Sequence, residues 1–307
     1  VIAKSAQVET EDKYKECLPD RQNMHKVFPL TDIQFAYLMG RDTRYEMGGI
    51  ATHSYTEYKT KLDIAKFNHS LQKLINRHPM LRTIFFPDGT QQILEHIPEY
   101  QINIIDISML NDVEQQEVIL AESDKSSHLV LDARKWPLFE IKACKLSEDE
   151  YYLFAGFDML IADGTSLQMI MIELLQYYDQ PDLQLPELEF TFRDYMMAYV
   201  DFKKSETYLR DKKYWLEKLD GFPSPPELPM VKKPSEIGVP RFKRCQKTFE
   251  KDKWSAIKKT AQVNNLSPSA VLCAAYIEVL AYWSNQNRLA INLTVFSSSL
   301  ISSILIF

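Results

Sequence analysis

The 307-residue chain is poor in cysteine and histidine and has no excess of positive charge. Its four cysteines, Cys17, Cys144, Cys245 and Cys273, lie far apart with no Cys-x-x-Cys pair. That spacing argues against a zinc cluster and a dense disulfide framework, and it fits a reducing, cytoplasmic setting. The six histidines are scattered, with no His-x3-His and no His/carboxylate cluster, so no metal site is expected. His53 and His78 read as hydrogen-bonded structural residues. With 36 Lys and Arg against 42 Asp and Glu, the formal charge of −6 supplies no basic field for a phosphate backbone or an anionic membrane, and nucleic acid is not an expected partner. Residues 1–26 lack the apolar central run of a secretory signal and read as a solvated linker. The uncharged run 289–307 has the length to cross a bilayer. It contains Asn292, Thr294 and a cluster of serines, costly in hydrocarbon without partners, so a membrane span is not favoured.

What is present is apolar content, 45% of the chain, enough for a large core and for two lobes. Thr31-Asp-Ile-Gln34 forms a capping box, with Leu30 placed to staple against Phe35, and predicts a short helix ending near Gly40. A strand is expected over 53–59. A helix over 64–77 follows, with Phe67, Leu71, Leu74 and Ile75 on one face, stopped by His78-Pro79. Residues 81–86 and 91–94 read as a hairpin about the turn Pro87-Asp88-Gly89-Thr90. Next come a helix over 111–126 and a strand pair at 138–146 and 151–157. The stripe of Leu167, Ile170, Met171, Leu174, Leu175 and Tyr178 predicts a helix over 166–178. One further helix is expected over 192–219. Dense prolines (Pro223, Pro225, Pro226, Pro229, Pro234, Pro240) then mark an extended crossover. Beyond it the pattern restarts, with a strand over 242–249, a helix over 254–264, a second helix opened by Ser267-Pro268, and a strand over 288–296. The expected organisation is a linker at 1–26, an N-terminal lobe at 27–221, a crossover at 222–240, the start of a C-terminal lobe at 241–296, and an aberrant or disordered tail at 297–307.

Chemistry concentrates where the strand 151–157 runs out. Asp158 and Asp163 stand five residues apart, Asp163-Gly164 turns the chain, and Thr165 or Ser166 is placed to cap the next helix. Two carboxylates at a strand end suit an active site on an α/β scaffold. In a chain with 42 acidic residues, spacing alone equally gives a turn Asp and a capping Asp. Ser166 lacks a Gly-x-Ser-x-Gly elbow and a nearby base, so the cap reading outweighs a nucleophile. The Tyr and Met residues around 195–199 read as packing.

Five ordered motifs supply context. Phe28-Pro-Leu-Thr-Asp-Ile-Gln-Phe-Ala-Tyr37 with Gly40-Arg41, continued by Gly48-Gly-Ile-Ala-Thr-His53, resembles the opening motif of the heterocyclization domains of nonribosomal peptide synthetases. Arg77-His-Pro-Met-Leu-Arg-Thr-Ile-Phe85 is similar to the second core motif of the condensation superfamily. Asp158-x4-Asp163-x2-Ser166 resembles the signature that stands in heterocyclization domains where ordinary condensation domains have His-His-x3-Asp-Gly. Trp215-Leu216 with the proline-rich stretch is similar to the next motif. The resemblance runs from about Val27 to Phe296.

The resemblance implies an α/β fold of the chloramphenicol-acetyltransferase-like, two-lobed condensation type, with the second lobe incomplete. Aligned on Asp163-Gly164, the two histidines of ordinary condensation domains fall at Asp158 and Met159, and a thioether cannot relay a proton as imidazole can. The activity implied is condensation of a carrier-bound acyl thioester with carrier-bound Cys, Ser or Thr, followed by cyclodehydration to thiazoline or oxazoline. The Thr and Asp credited with dehydration lie in later motifs, beyond Phe307. Asp163 is therefore expected to organise the site by pairing with Arg82 or Arg77, since a buried carboxylate requires a cation or several donors. Asp158 either orients the acceptor amine or caps the loop. No cofactor is expected to bind directly; phosphopantetheine arms would arrive on peptidyl or aryl carrier domains, with an adenylation domain adjacent. The alternative is an inactive, truncated module that binds a carrier protein.

Overall fold

The computed structural model describes residues 17–238, 240–242 and 245–293. They fall into two compact units divided between Tyr208 and Leu209.

The first unit is built on a four-stranded sheet and a three-stranded one. In the larger, β2 (His53–Lys61), β7 (Glu150–Asp158), β6 (Phe139–Lys145) and β5 (Asn103–Asp106) lie side by side in that order. β2, β7 and β6 are antiparallel neighbours, and β5 runs parallel to β6. Period-2 alternation decides which face each strand residue serves. Leu153, Ala155 and Phe157 of β7, with Phe139, Ile141 and Ala143 of β6, enter the main core. There they meet Leu71, Leu74 and Ile75 of α2 (Ile64–Arg77) and Ile170, Leu174 and Tyr177 of α4 (Gly164–Asp179). Phe154 and Cys144 point the other way, onto Ile119 of α3 (Asp112–Ser127). Helices therefore cover both faces. The smaller sheet orders β1 (Phe28–Pro29), β4 (Thr90–Ile93) and β3 (Thr83–Phe86).

Local signals fixed most element ends. Thr31 caps α1 (Asp32–Met39) through a complete capping box with Gln34. The β3–β4 hairpin turns at Gly89, whose φ of +83° suits glycine. Ser267 caps α8 (Pro268–Ser284), with the proline in its first turn.

Several expectations are corrected. The single helix over 192–219 is two, α5 (Phe192–Phe202) and α6 (Glu206–Lys218). Ser205 Oγ accepts the Tyr208 N–H (3.2 Å), an N-cap contact that restarts the helix after a break. The division between the units falls inside α6 rather than at 221. The linker ends sooner than 26: Cys17 is buried, the Asp20 N–H donates to Asp194 Oδ1 (3.1 Å), and Asp20 pairs with Arg193 at 3.1 Å. β1 and β5 were not anticipated. Conversely, the described residues of 242–249 and 288–296 form no strand. An extended segment becomes a strand only with a ladder partner, and the single backbone bond from the Ala290 N–H to the Ser224 carbonyl (3.0 Å) does not make a ladder. The second unit contains α7 (Lys251–Val263) and α8; residues 222–238 hold only the 3-10 turn Pro234–Glu236. Among the described residues, no single helix is long and apolar enough to cross a membrane. The tail expected at 297–307 lies outside the described residues.

Candidate active site

Asp158 ends β7, and flanking segments hold the chain there. Its N–H donates to the Leu138 carbonyl (3.0 Å), and the Met159 N–H donates to the Thr52 carbonyl (2.9 Å). Across the β2–β7 ladder Asp158 lies opposite His53. The chain then turns, with the Leu160 N–H donating to Asp158 Oδ1 (3.0 Å) and the Ile161 N–H to the Asp158 carbonyl (3.1 Å). Leu160, Ile161 and Ala162 are buried, so apolar packing anchors the loop between the two carboxylates.

The second oxygen of Asp158, Oδ2, is taken by Arg41, which reaches over from just beyond the C-cap of α1. Both side chains are enclosed, at 2% and 9% exposure, which makes this a buried ion pair rather than a surface one. Arg41 also donates through Nη1 to the Leu131 carbonyl (2.6 Å). Burial pulls its pKa down to about 10, against a weaker opposing pull from Asp132, so it stays cationic at neutral pH. The site thus joins residues 41, 131 and 158 through one guanidinium.

Asp163 is exposed and sits at the N-cap of α4. Its Oδ1 accepts the Ser166 N–H (2.8 Å) and the Ser166 hydroxyl (2.6 Å). The expected pairing of Asp163 with Arg82 or Arg77 is not made. An exposed carboxylate at a helix N-terminus is already satisfied by the end amides and the helix dipole, and it has no need of a cation. Arg82 instead donates to the Leu94 carbonyl (3.0 Å). Arg77 binds Glu173 (2.9 Å) and the Pro186 carbonyl (2.6 Å). Ser166, expected as a cap, is the donor to the capping Asp163 instead. The two aspartates thus take roles opposite to those foreseen: Asp158 is the buried, cation-paired one, and Asp163 keeps Oδ2 without a protein donor among the described residues.

Both histidines noted above are hydrogen-bonded. His53 Nδ1 lies 3.0 Å from the Ala51 carbonyl, and His78 Nε2 lies 2.7 Å from Glu173. Burial pushes the Glu173 carboxyl up, but His78 and Arg77 together outweigh it and leave the group below its ordinary range. A carboxylate whose folded-state pKa is depressed contributes stability that is complete above its unfolded pKa and is lost as pH falls through the folded one. Glu173→Gln should therefore flatten the acid limb of a stability-versus-pH curve, between the ordinary Glu range and the lower folded value, and leave its slope near neutral pH unchanged. Urea midpoints measured across that range check this; equal acid slopes in the two proteins would contradict it.

The loop carrying Arg41 into β2 tolerates little at Gly48. A Cβ there would come within 2.1 Å of the Asp42 carbonyl oxygen, and Gly49 next to it has φ of +81°. Gly48→Ala is expected to lower stability by at least about 1 kcal/mol, because backbone rather than a mobile side chain must move. A thermal melt at matched concentration reads the loss.

The Condensation domain family model matches residues 24–297. The chain belongs to the condensation-domain family. This domain is 45% identical over 278 residues to bacitracin synthase 1 of Bacillus licheniformis, covering 91% of the chain and 5% of that protein. It is 30% identical over 275 residues to the phenyloxazoline synthase MbtB of Mycolicibacterium paratuberculosis, covering 88% of the chain and 23% of that protein. Among solved structures it is similar to the EpoB nonribosomal peptide synthetase cyclization-docking bidomain of Sorangium cellulosum, with a TM-score of 0.79 and 33% identity over 87% of the chain. The chain spans about half of that structure, 54%, and far less of the curated relatives. The condensation-type fold implied by the motifs is shared with these neighbours.

Arg41 was absent from the expected site residues, although it stood in the opening motif. The missed signal was a charge immediately after a short, capped apolar helix; such a residue is carried wherever that helix is packed.

Proposed function

We propose that this condensation domain is the N-terminal portion of a heterocyclization domain of a nonribosomal peptide synthetase. In this reading the amine of a carrier-bound Cys, Ser or Thr attacks an upstream acyl thioester. The C–N bond forms, the C–S bond breaks and the carrier thiol leaves. The side-chain sulfur or oxygen then adds to the new amide carbonyl and water departs, giving thiazoline or oxazoline. Carrier domains bearing phosphopantetheine arms and a neighbouring adenylation domain are the partners, and the setting is cytoplasmic.

The observation that carries the reading is the Asp158–Arg41 pair at the end of β7, followed by Met159, with no imidazole at either position. Both oxygens of Asp158 are engaged, Oδ1 by the Leu160 N–H and Oδ2 by Arg41, so this carboxylate holds the loop rather than shuttling a proton. Similarity to a protein named phenyloxazoline synthase and to a cyclization bidomain supports the same class. Asp163, exposed and with no protein donor to Oδ2 among the described residues, is the group assigned to the acceptor amine, which it orients by accepting its N–H.

The test loads the upstream carrier with an acyl group and the downstream carrier with Cys, Ser or Thr in turn. Products formed by the synthetase containing this chain are read by mass spectrometry. The expected result is an amide and then the same species less one water with at least one acceptor. Amide without loss of water for all three would assign ordinary condensation and overturn the cyclization reading. Asp163→Asn is expected to keep its fold, since Asn caps a helix as well as Asp, and to slow amide formation by about 10- to 100-fold. Unchanged rates of both steps would remove Asp163 from the site.

A further inference from the structure

The buried amide of Gln34 joins the first helix to the loop between the two aspartates. Gln34 is buried, its neighbour Gln91 is fully buried, and Leu160 is at 1% exposure. Gln34 Oε1 accepts the Thr31 N–H (3.0 Å) and Gln91 Nε2 (3.0 Å). Gln34 Nε2 donates to the Leu160 carbonyl (2.8 Å) and to Gln91 Oε1 (3.2 Å). Gln91 Nε2 also donates to the Pro29 carbonyl (3.0 Å). The orientation of the Gln34 amide is fixed chemically, because the Thr31 N–H can only donate and the Leu160 carbonyl can only accept.

Leu160 lies two residues past Asp158 and three before Asp163, and its own N–H is bound to Asp158 Oδ1. The Leu160 peptides are therefore gripped from both sides, by Asp158 through the N–H and by Gln34 through the carbonyl. Arg41 follows the same helix α1 and holds Asp158 Oδ2. One short helix thus reaches the loop at two points, by a charge at its end and an amide in its first turn. A buried, fully satisfied polar contact of this kind specifies a single arrangement, since slipping it would leave a donor or acceptor unpaired.

We propose that Gln34 is a positioning residue that sets the Asp158–Asp163 loop for acyl transfer, separately from its part in capping α1. The proposal rests on the site reading above and deepens it. The capping box offers a way to separate the two parts. Glu serves a capping box as well as Gln, so Gln34→Glu keeps an acceptor for the Thr31 N–H. It also places a second oxygen against the Leu160 carbonyl, where a donor stood. Thr31→Ala does the reverse: it removes the side-chain cap and leaves the contact to Leu160.

Amide hydrogen exchange of the chain is read by mass spectrometry in the peptides covering 32–39 and 157–165. With Gln34→Glu, exchange in 157–165 is expected to accelerate about 10-fold or more while 32–39 stays protected. With Thr31→Ala, 32–39 loses protection and Tm falls by a few degrees, while 157–165 stays as in the wild type. In the synthetase containing the chain, Gln34→Glu is expected to lower kcat for amide formation by about 10- to 100-fold with KM for the loaded carriers little changed. Wild-type exchange in 157–165 for Gln34→Glu, or equal acceleration there for Thr31→Ala, would overturn the proposal. If Gln34→Glu fails to fold, Gln34→Met takes its place. It loses the donor to Leu160 and the acceptor for the Thr31 N–H but keeps the Thr31 Oγ1 cap on its own N–H. Exchange in 157–165 is then expected to accelerate more than in 32–39, and wild-type exchange in 157–165 would overturn the proposal. Amide formed without a ring would overturn the cyclization reading alone, because neither exchange nor amide formation depends on the ring.

Discussion

Arg41→Ala is expected to cost about 3–5 kcal/mol of stability, enough to leave a large part of the chain unfolded at 37 °C. The cost comes from what remains behind. Asp158, at 2% exposure, would be left buried without its cation, with only the Leu160 N–H as donor to its carboxyl group. The Leu131 carbonyl would lose its guanidinium as well. Asp158→Ala is expected to be costly for the mirror reason, leaving a guanidinium whose Nε already has no partner among the described residues. The double replacement Arg41→Met with Asp158→Leu removes both charges together and should regain much of the loss, since well-packed apolar residues often match a buried ion pair in stability. Catalysis should not return with it, because the loop would lose the hydrogen bonds that orient it. Chemical denaturation of the wild type, Arg41→Met, Asp158→Leu and the double variant gives the coupling between the two positions. A double variant no more stable than the singles would show that the pair is not the unit that matters. A double variant with wild-type amide formation would show that the pair plays no part in the site.

Leu74→Ala should destabilise the first unit by about 2–5 kcal/mol with little direct effect on the chemistry. Leu74 has no exposed surface and lies in the cluster where α2 and α4 meet the larger sheet. The loss combines the transfer free energy of the missing methyl groups with a cavity that a closely packed neighbourhood cannot collapse. Ile172→Ala on α4 is the control. That side chain is 57% exposed, and its replacement is expected to change stability by no more than about 0.5 kcal/mol. Urea unfolding of both proteins tests the pair, and a Leu74→Ala cost as small as that of the control would mean that the core is not closed at this position. The m-value should be unchanged if the loss lies in the native core rather than in the unfolded ensemble.

Where neighbours in sequence decide the structure, the sequence was enough. The Thr31 capping box, the helix ending at His78-Pro79, the turn at Gly89 and the Ser267-Pro268 start of α8 are set by local hydrogen-bonding and φ preferences, and each was legible before any coordinate. The strand over 151–157 was likewise legible as an apolar run, whereas the face that each of its residues serves was not. The break at Lys203–Ser205 was also local, carried by one serine, but it lay inside a longer helical pattern that concealed it.

Tertiary structure decided what the charges do. Asp158 and Asp163 look alike in sequence, and spacing gave no reason to bury one and expose the other. Their difference arises because Arg41, 117 residues from Asp158, is delivered to the end of β7, while Asp163 meets only the amide and hydroxyl of Ser166 three residues on. A carboxylate is buried where the fold brings it a cation and stays at the surface where it does not, since its desolvation must be offset by a partner. The strand β5 and the contact of Gln34 with Leu160 are of the same kind, pairings across 126 residues or with a strand distant in the chain. The element ends and the motif residues were thus written locally, whereas the roles of those residues were settled by which distant groups the packed sheet and helices brought against them.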